Sequence, residues 1–310
     1  MDLLPAQGGS DPCRFQIGGV SWMLFELSIR GGRTNQTRPE PGRHVTIAVM
    51  PFLISPDGIR LKYEIQGEGP PLLLHLGAGC DSQLWRAAGY LEPLSNSYRC
   101  ILFDHRGHGE SDRPRGAEAH HLDRYTADVL ALLDELEIEK CAFWGYSAGI
   151  DVGLKLADDH SVRIRALVGS GGLGETTPEA LAEMVARRVS EFREHGWKKL
   201  IDRFDVNERE PVPEWMKERI RATDIEQFIG YLESTRNWTW NDWEALPRVA
   251  APTLILTGEL EDPEDETQVA VARMPNARRV RLAGLGHINA FLSSALVLPH
   301  VTEFLAHNTA

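Results

Sequence analysis

The sequence predicts an α/β protein built on a mostly parallel sheet, and three observations carry that expectation. After Met50, short apolar runs alternate with stretches of helical period, the pattern of strands joined by helical crossovers. One of those runs, Cys141-Ala142-Phe143-Trp144, ends in the turn Gly145-Tyr146-Ser147-Ala148-Gly149 and passes directly into a helical stretch. Residues 176–247 break the alternation with helix alone, so the sheet-forming sequence is interrupted once and then resumes.

Residues 52–54 and 59–65 read as a hairpin around Pro56-Asp57-Gly58, where Asp and Gly supply the turn conformations. Residues 71–75 form the next strand, followed by the Gly-rich segment His75-Leu76-Gly77-Ala78-Gly79, and residues 100–103 the one after. Val129, Leu132, Leu133 and Leu136 fall at i, i+3, i+4 and i+7 and mark an amphipathic helix over 125–136. That helix feeds the strand at 141–144, and the turn behind it opens a helix over 150–157. Residues 164–168, 253–257 and 280–282 supply three further strands, and a helix over 292–305 closes the fold.

The chain therefore divides into a core over 50–175 and 248–310, a helical insertion over 176–247 expected to form a lid, and an N-terminal extension over 1–49. The extension is rich in Gly, Pro and Arg and holds no sustained period, so it is expected to be flexible. Its apolar stretch at 20–29 carries Glu26 and lacks the cationic start of a signal peptide. Ordered pattern begins at Met50, a candidate start for the functional domain.

Apolar residues at 42% and charged residues at 25% are the balance of a soluble globular chain. A formal charge of −12 argues against a nucleic-acid partner, since phosphate binding draws on clustered Lys and Arg, and a neutral or cationic small molecule is the easier partner. No transmembrane run is present, so no membrane partner is expected. Cys13, Cys80, Cys100 and Cys141 have no C-x-x-C spacing and read as reduced thiols of a cytoplasmic protein.

A serine hydroxyl needs exposure, a base and a partner for the oxyanion it generates. The Gly-x-Ser-x-Gly turn meets the first need, because its glycines permit a tight strand-to-helix turn that lifts the Ser147 oxygen above the sheet. For the base, His287 follows the strand at 280–282 and a carboxylate-bearing loop, giving the order Ser, acid, His. His75, His105 and His108 sit in or beside earlier loops and are expected to be structural.

The acid should lie just past the strand at 253–257, in Gly258-Glu259-Leu260-Glu261-Asp262-Pro263. Asp262 is the first choice, for its short side chain and the proline after it, and Glu261 is the alternative. The oxyanion donors are expected to be the backbone N–H of Ala148 and one from the Gly-rich segment: Gly77, or Leu76 or Ala78. There is no G-x-G-x-x-G, no Walker Lys and no metal-ligand spacing, so no metal is expected.

Trp197, Trp215, Trp238, Trp240 and Trp243 all fall in the helical block. Packing onto the core and walling a bulky apolar substrate both suit such residues. Tyr146, Trp238, Trp240 and Trp243 are the candidate substrate contacts.

With this order of parts, and with Asp104-His105-Arg106-Gly107-His108-Gly109-Glu110-Ser111 between them, the chain resembles the α/β-hydrolase superfamily over about residues 50–306. The resemblance implies an eight-stranded sheet, a helical lid, no cofactor, and a packing role for the Arg106 loop beside the nucleophile. Many members carry His-Gly where this chain has His75-Leu76. In the segments 75–85 and 144–151 the chain is similar to lid-bearing esterases of mobile antibiotic-resistance cassettes, some of which open macrolide lactones. The implied activity is hydrolysis of a small-molecule ester or lactone through an acyl-enzyme.

Ser147 argues against the Asp-nucleophile epoxide hydrolases and haloalkane dehalogenases of that superfamily. Carbon–carbon hydrolases, cofactor-free haloperoxidases and amidases keep the Ser triad and stay open. So does a ligand-binding receptor that retains the fold without turnover.

Overall fold

Along the central strands alternate side chains enter two separate cores: Leu73, Ile101 and Phe143 pack on one face, Leu72, Leu74, Leu102 and Trp144 on the other. This period of two with both faces covered is why these runs read as almost continuously apolar. The arrangement comes from a computed structural model of the chain, which describes residues 14–17, 20–23, 51–262 and 264–309.

Strands β1 (Arg14–Ile17) and β2 (Val20–Met23) pair antiparallel. The remainder of 1–49, where a flexible extension is expected, lies outside the described residues. The main sheet comprises β3 (Phe52–Ile54), β4 (Arg60–Gln66), β5 (Pro71–His75), β6 (Arg99–Phe103), β7 (Cys141–Tyr146), β8 (Ile164–Ser170), β9 (Thr253–Gly258) and β10 (Ala277–Leu282), in the order β10-β9-β8-β7-β5-β6-β4-β3. Pairing is parallel from β10 through β6 and antiparallel at β4 and β3. The eight-stranded, mostly parallel α/β sheet is the one expected.

Short helices α1 (Leu84–Ala87) and α2 (Leu91–Ser95) precede β6, α3 (Leu122–Glu135) precedes β7, and α4 (Gly149–Asp159) follows it. Between β8 and β9 the chain forms α5 (Pro178–His195), α6 (Lys198–Asn207), α7 (Glu214–Ala222), α8 (Ile225–Thr235) and α9 (Asp242–Ala245). α10 (Glu266–Arg273) joins β9 to β10, and α11 (His287–Leu292) and α12 (Ser294–Asn308) close the fold. The expected closing helix at 292–305 is α12, and α11 is a further short helix before it. Ser293, at φ −86° and ψ 55°, breaks them and allows a separate turn to begin at His287.

Beneath the turn after β7, Trp85, Tyr90, Trp144 and Phe291 interlock, with ring centroids 5.0 Å apart for Trp85–Trp144 and 5.1 Å for Tyr90–Trp144. Aromatics of this size contribute about 4–6 kcal/mol each of gross burial energy. The Tyr90 hydroxyl donates to the Phe291 carbonyl at 2.5 Å, tying the first βα loop to α11. Cys80, Cys100 and Cys141 are free and buried, their thiols pushed up to about 12 by burial, while Cys13 lies outside the described residues. Among the described residues no helix is long and apolar enough to cross a membrane.

Candidate active site

Ser147 stands between β7 and α4 with φ +55°, a left-handed conformation costly for a side-chain-bearing residue. Its neighbours make the turn possible. A Cβ on Gly145 would lie 2.2 Å from the Gly149 carbonyl oxygen, and one on Gly149 would lie 2.6 Å from that of His75. The Ser147 N–H donates to the Ser170 carbonyl at 2.8 Å, anchoring the turn to β8.

The Gly-rich segment after β5 closes against this turn. A Cβ on Gly77 would sit 2.6 Å from Ser147 Cβ and 3.0 Å from Ala148 N, so a residue without a side chain is required there. Ala148 precedes α4, where the first N–H groups have no intrahelical acceptor. Gly79 N–H is taken by His108 Nε2 at 2.9 Å, and Ala78 lines the cavity over Ser147. Leu76 turns its side chain into the core while its carbonyl accepts from His75 Nδ1 at 2.7 Å.

The early histidines are packed within the fold. His75 stacks on His105 with centroids 5.0 Å apart, and His105 meets His108 in a tilted contact at 3.9 Å. Burial holds His75 and His108 down at about 4, and so neutral. A neutral His108 can donate from Nδ1 to the Arg106 carbonyl, 3.1 Å away, and accept from Gly79 at Nε2. Arg106 itself is buried in paired hydrogen bonds to Asp128 at 2.7 Å and to Asp57 at 2.9 and 3.0 Å, a packing role for its loop.

His287 opens α11. Gly171 lies between it and the serine: a Cβ there would be 3.5 Å from His287 Cε1 and 3.7 Å from Ser147 Cα. The carboxylate against His287 is Glu261, whose Oε2 accepts from Nδ1 at 2.6 Å while Oε1 accepts from Gly258 N–H at 2.7 Å. This corrects the preference for Asp262. Asp262 turns toward α10, accepting from the Glu266 and Thr267 N–H groups at 2.8 and 3.2 Å, and pairs with Arg279 at 3.2 Å. Its short side chain is consumed by a helix start; Pro263 lies outside the described residues.

Burial pushes the His287 proton affinity down, but the charge and hydrogen bond of Glu261, helped by Glu208, outweigh it and raise the imidazole above its usual 6.5. Tyr146 packs beneath, stacked on His287 and Phe291 at 5.0 and 4.1 Å, its hydroxyl donating to the His287 carbonyl at 3.3 Å.

Ser147, His287 and Glu261 face a cavity of about 1200 Å³ between the core and α5–α9. Trp197, Trp238 and Trp240 line it. Trp243 lies outside that wall, its ring under the Arg273 guanidinium at 4.8 Å, which corrects its inclusion among substrate contacts. Three polar groups in the wall escaped sequence reading. Asp151 accepts from the Tyr231 hydroxyl at 3.2 Å, and burial, with the charge of Asp242, pushes its carboxyl up to about 8. Arg188 has an Nε without a hydrogen-bond partner among the described residues. Nothing local marks Asp151, Arg188 or Glu208, because α4, α5 and the end of α6 bring them to one cavity wall from distant positions.

A family model described as "alpha/beta hydrolase fold" matches residues 70–293. Among curated relatives, 2-hydroxymuconate semialdehyde hydrolase of Pseudomonas sp. (strain CF600) is 34% identical over 144 residues, 46% of this chain and 47% of that protein, so the match spans about half the relative's length. A hydrolase from Pseudomonas aeruginosa PA01 superposes with a TM-score of 0.71 at 27% identity, covering 83% of this chain and 98% of its own. The enol-lactonase from Burkholderia xenovorans LB400 gives 0.68 at 25% identity, covering 83% and 100%.

Proposed function

We propose, from the premise that this chain belongs to the alpha/beta hydrolase fold family, that it is a serine-dependent hydrolase of carboxylic esters or lactones. The observation that carries this reading is Ser147, held at φ +55° and opening into the same cavity as the His287–Glu261 pair. In this mechanism Ser147 Oγ attacks the carbonyl carbon while His287 Nε2 takes its proton, and Glu261 keeps the other ring N–H in place. Ala148 N–H and one N–H of the 76–78 segment, Gly77 foremost, stabilise the oxyanion. His287 then protonates the leaving alcohol, and water, activated by the same imidazole, releases the acid from Ser147.

The helical block acts as the lid of this site. A cavity of about 1200 Å³ exceeds the ~300–1,000 Å³ usual for small-molecule pockets and supports a bulky substrate. Its aromatic wall, interrupted by the Asp151–Tyr231 pair, suits a large oxygen-bearing lactone such as a macrolide better than a short alkyl ester. An enol-lactonase among the structural neighbours supports lactone opening.

A hydrolysis panel with product masses read tests the proposal: p-nitrophenyl esters, aromatic esters, enol-lactones and macrolides. Gain of one water on a lactone, lost in Ser147→Ala, is the expected result. Ester or lactone turnover retained in Ser147→Ala would remove the serine mechanism. A second reading, carbon–carbon bond hydrolysis, is favoured by the similarity to 2-hydroxymuconate semialdehyde hydrolase, so that semialdehyde belongs in the panel.

A further inference from the structure

α11 is preceded by Gly286, a residue with no side chain to cap the helix. Helix starts are normally satisfied by a Ser, Thr, Asp or Asn at that position. Here the acceptor arrives from 78 residues upstream. Glu208, at the end of α6, receives the N–H of Gly286 at 2.9 Å on Oε2, and those of Ile288 and Asn289 at 2.7 and 3.3 Å on Oε1. These are the flanking residue and the second and third residues of the turn whose first residue is His287.

The approach is close enough to exclude a side chain at Gly286. A Cβ there would lie 2.5 Å from the Asn207 carbonyl oxygen and 2.7 Å from the Glu208 carboxylate. Around this point the same segment makes further contacts. Phe204 lies nearly parallel to the His287 ring, centroids 6.1 Å apart, and Asn289 Nδ2 donates to the Glu210 carbonyl at 2.7 Å. Glu208 is 7% exposed and makes no ion pair among the described residues, so its charge is directed onto this turn alone.

We infer that Glu208 is a positioning residue that makes correct seating of the helical block and correct aim of His287 one event. The inference rests on His287 being the base. A carboxylate accepting three backbone N–H groups holds the turn in a single orientation, each charge-assisted bond being stronger than a neutral one. Its negative charge acts in the same direction as that of Glu261 on an imidazolium at His287, so the site has two carboxylates serving one base: Glu261 through the ring and Glu208 through the backbone. In consequence the end of α6 ties the block to the turn that carries His287.

Glu208→Gln tests this, since the amide retains an acceptor oxygen but loses the charge and one acceptor site. On p-nitrophenyl acetate the variant is expected to lose about 10- to 100-fold in kcat with little change in KM. NMR titration of the histidine Cε1 protons in the Ser147→Ala background reads the charge effect without turnover, and His287 is expected to titrate at lower pH in Glu208→Gln. Unchanged kcat and an unchanged His287 titration in the folded variant overturn the inference.

Hydrogen exchange on the unsubstituted protein covers the case of a variant that does not fold. Peptides over 198–207 and 286–292 are expected to open together at one rate; independent opening overturns the coupling. A wild-type protein that shows this coupling but is not labelled at Ser147 by a fluorophosphonate loses the serine reading instead.

Discussion

His287 Nδ1 lies 2.6 Å from Glu261 Oε2, and the residue that follows Glu261 is turned away from the histidine onto Arg279. Adjacent carboxylates thus have separate work, one on the imidazole and one on a helix start. Removing them separately distinguishes the two. Glu261→Gln is expected to lower kcat by about two to four orders of magnitude, through loss of the ring's orientation and of charge stabilisation of the imidazolium. Asp262→Asn is expected to leave kcat within about threefold and to lower stability by about 1–2 kcal/mol, through its helix-start and Arg279 bonds. Steady-state kinetics beside denaturant unfolding reads both, and the reverse pattern would give the triad to Asp262.

The pH profile follows from the same pair. His287 works as a base only when neutral, and Glu261 and Glu208 raise its proton affinity against the lowering effect of burial. The acid limb of kcat/KM is therefore expected to have its midpoint above 6.5, and Glu261→Gln is expected to move it to lower pH. A midpoint that does not move in the variant would separate the limb from this histidine.

Gly77→Ala places a methyl 2.6 Å from Ser147 Cβ and 2.9 Å from the Tyr146 carbonyl oxygen, mostly against backbone that cannot give way cheaply. The loop must shift by a substantial fraction of an ångström, which misaligns the oxyanion donors. A loss of at least about 100-fold in kcat is expected, while far-UV circular dichroism still reports the folded chain.

Acid stability depends on the buried histidines of the earlier loops. Burial holds His75, His108 and His120 at about 4, below the 6.5 of an exposed imidazole. Below pH 6.5 the unfolded chain therefore takes up protons that the folded chain refuses until about pH 4. The stability from these groups is present in full above 6.5 and is lost as pH falls from 6.5 through 4. Urea midpoints measured across that window should fall with pH; a flat profile would remove the account.

Asp151 acts with the opposite sign. Its carboxyl, raised to about 8, keeps its proton in the folded protein while the unfolded chain releases it above about 3.8. Stability from this group therefore declines as pH rises from about 4 through 8. Asp151→Asn is expected to gain over the parent at pH 8 relative to pH 5 by urea unfolding, and an equal difference at both pH values would count against a protonated Asp151.

The sheet and the nucleophile turn were legible in the sequence because both are local. Strands β5, β7, β8 and β9 announce themselves as short apolar runs, and a Gly-Tyr-Ser-Ala-Gly turn between a strand and a helix has few ways to be built. His287 could be picked out by chain order. The choice between Glu261 and Asp262 could not, since it depends on how the loop after β9 spends its hydrogen bonds. The start of α10 and Arg279 claim the shorter acid and leave the longer one to reach the ring.

Sequence by itself thus determined the alternation of strand and helix, the turn that carries Ser147 and the order in which the site's parts occur. Tertiary structure alone decided which carboxylate faces His287, that Trp243 stands outside the cavity wall, and that Glu208 caps the turn beginning at His287. Those contacts join residues 26 to 81 positions apart, and no periodicity or motif encodes a hydrogen bond across such a distance.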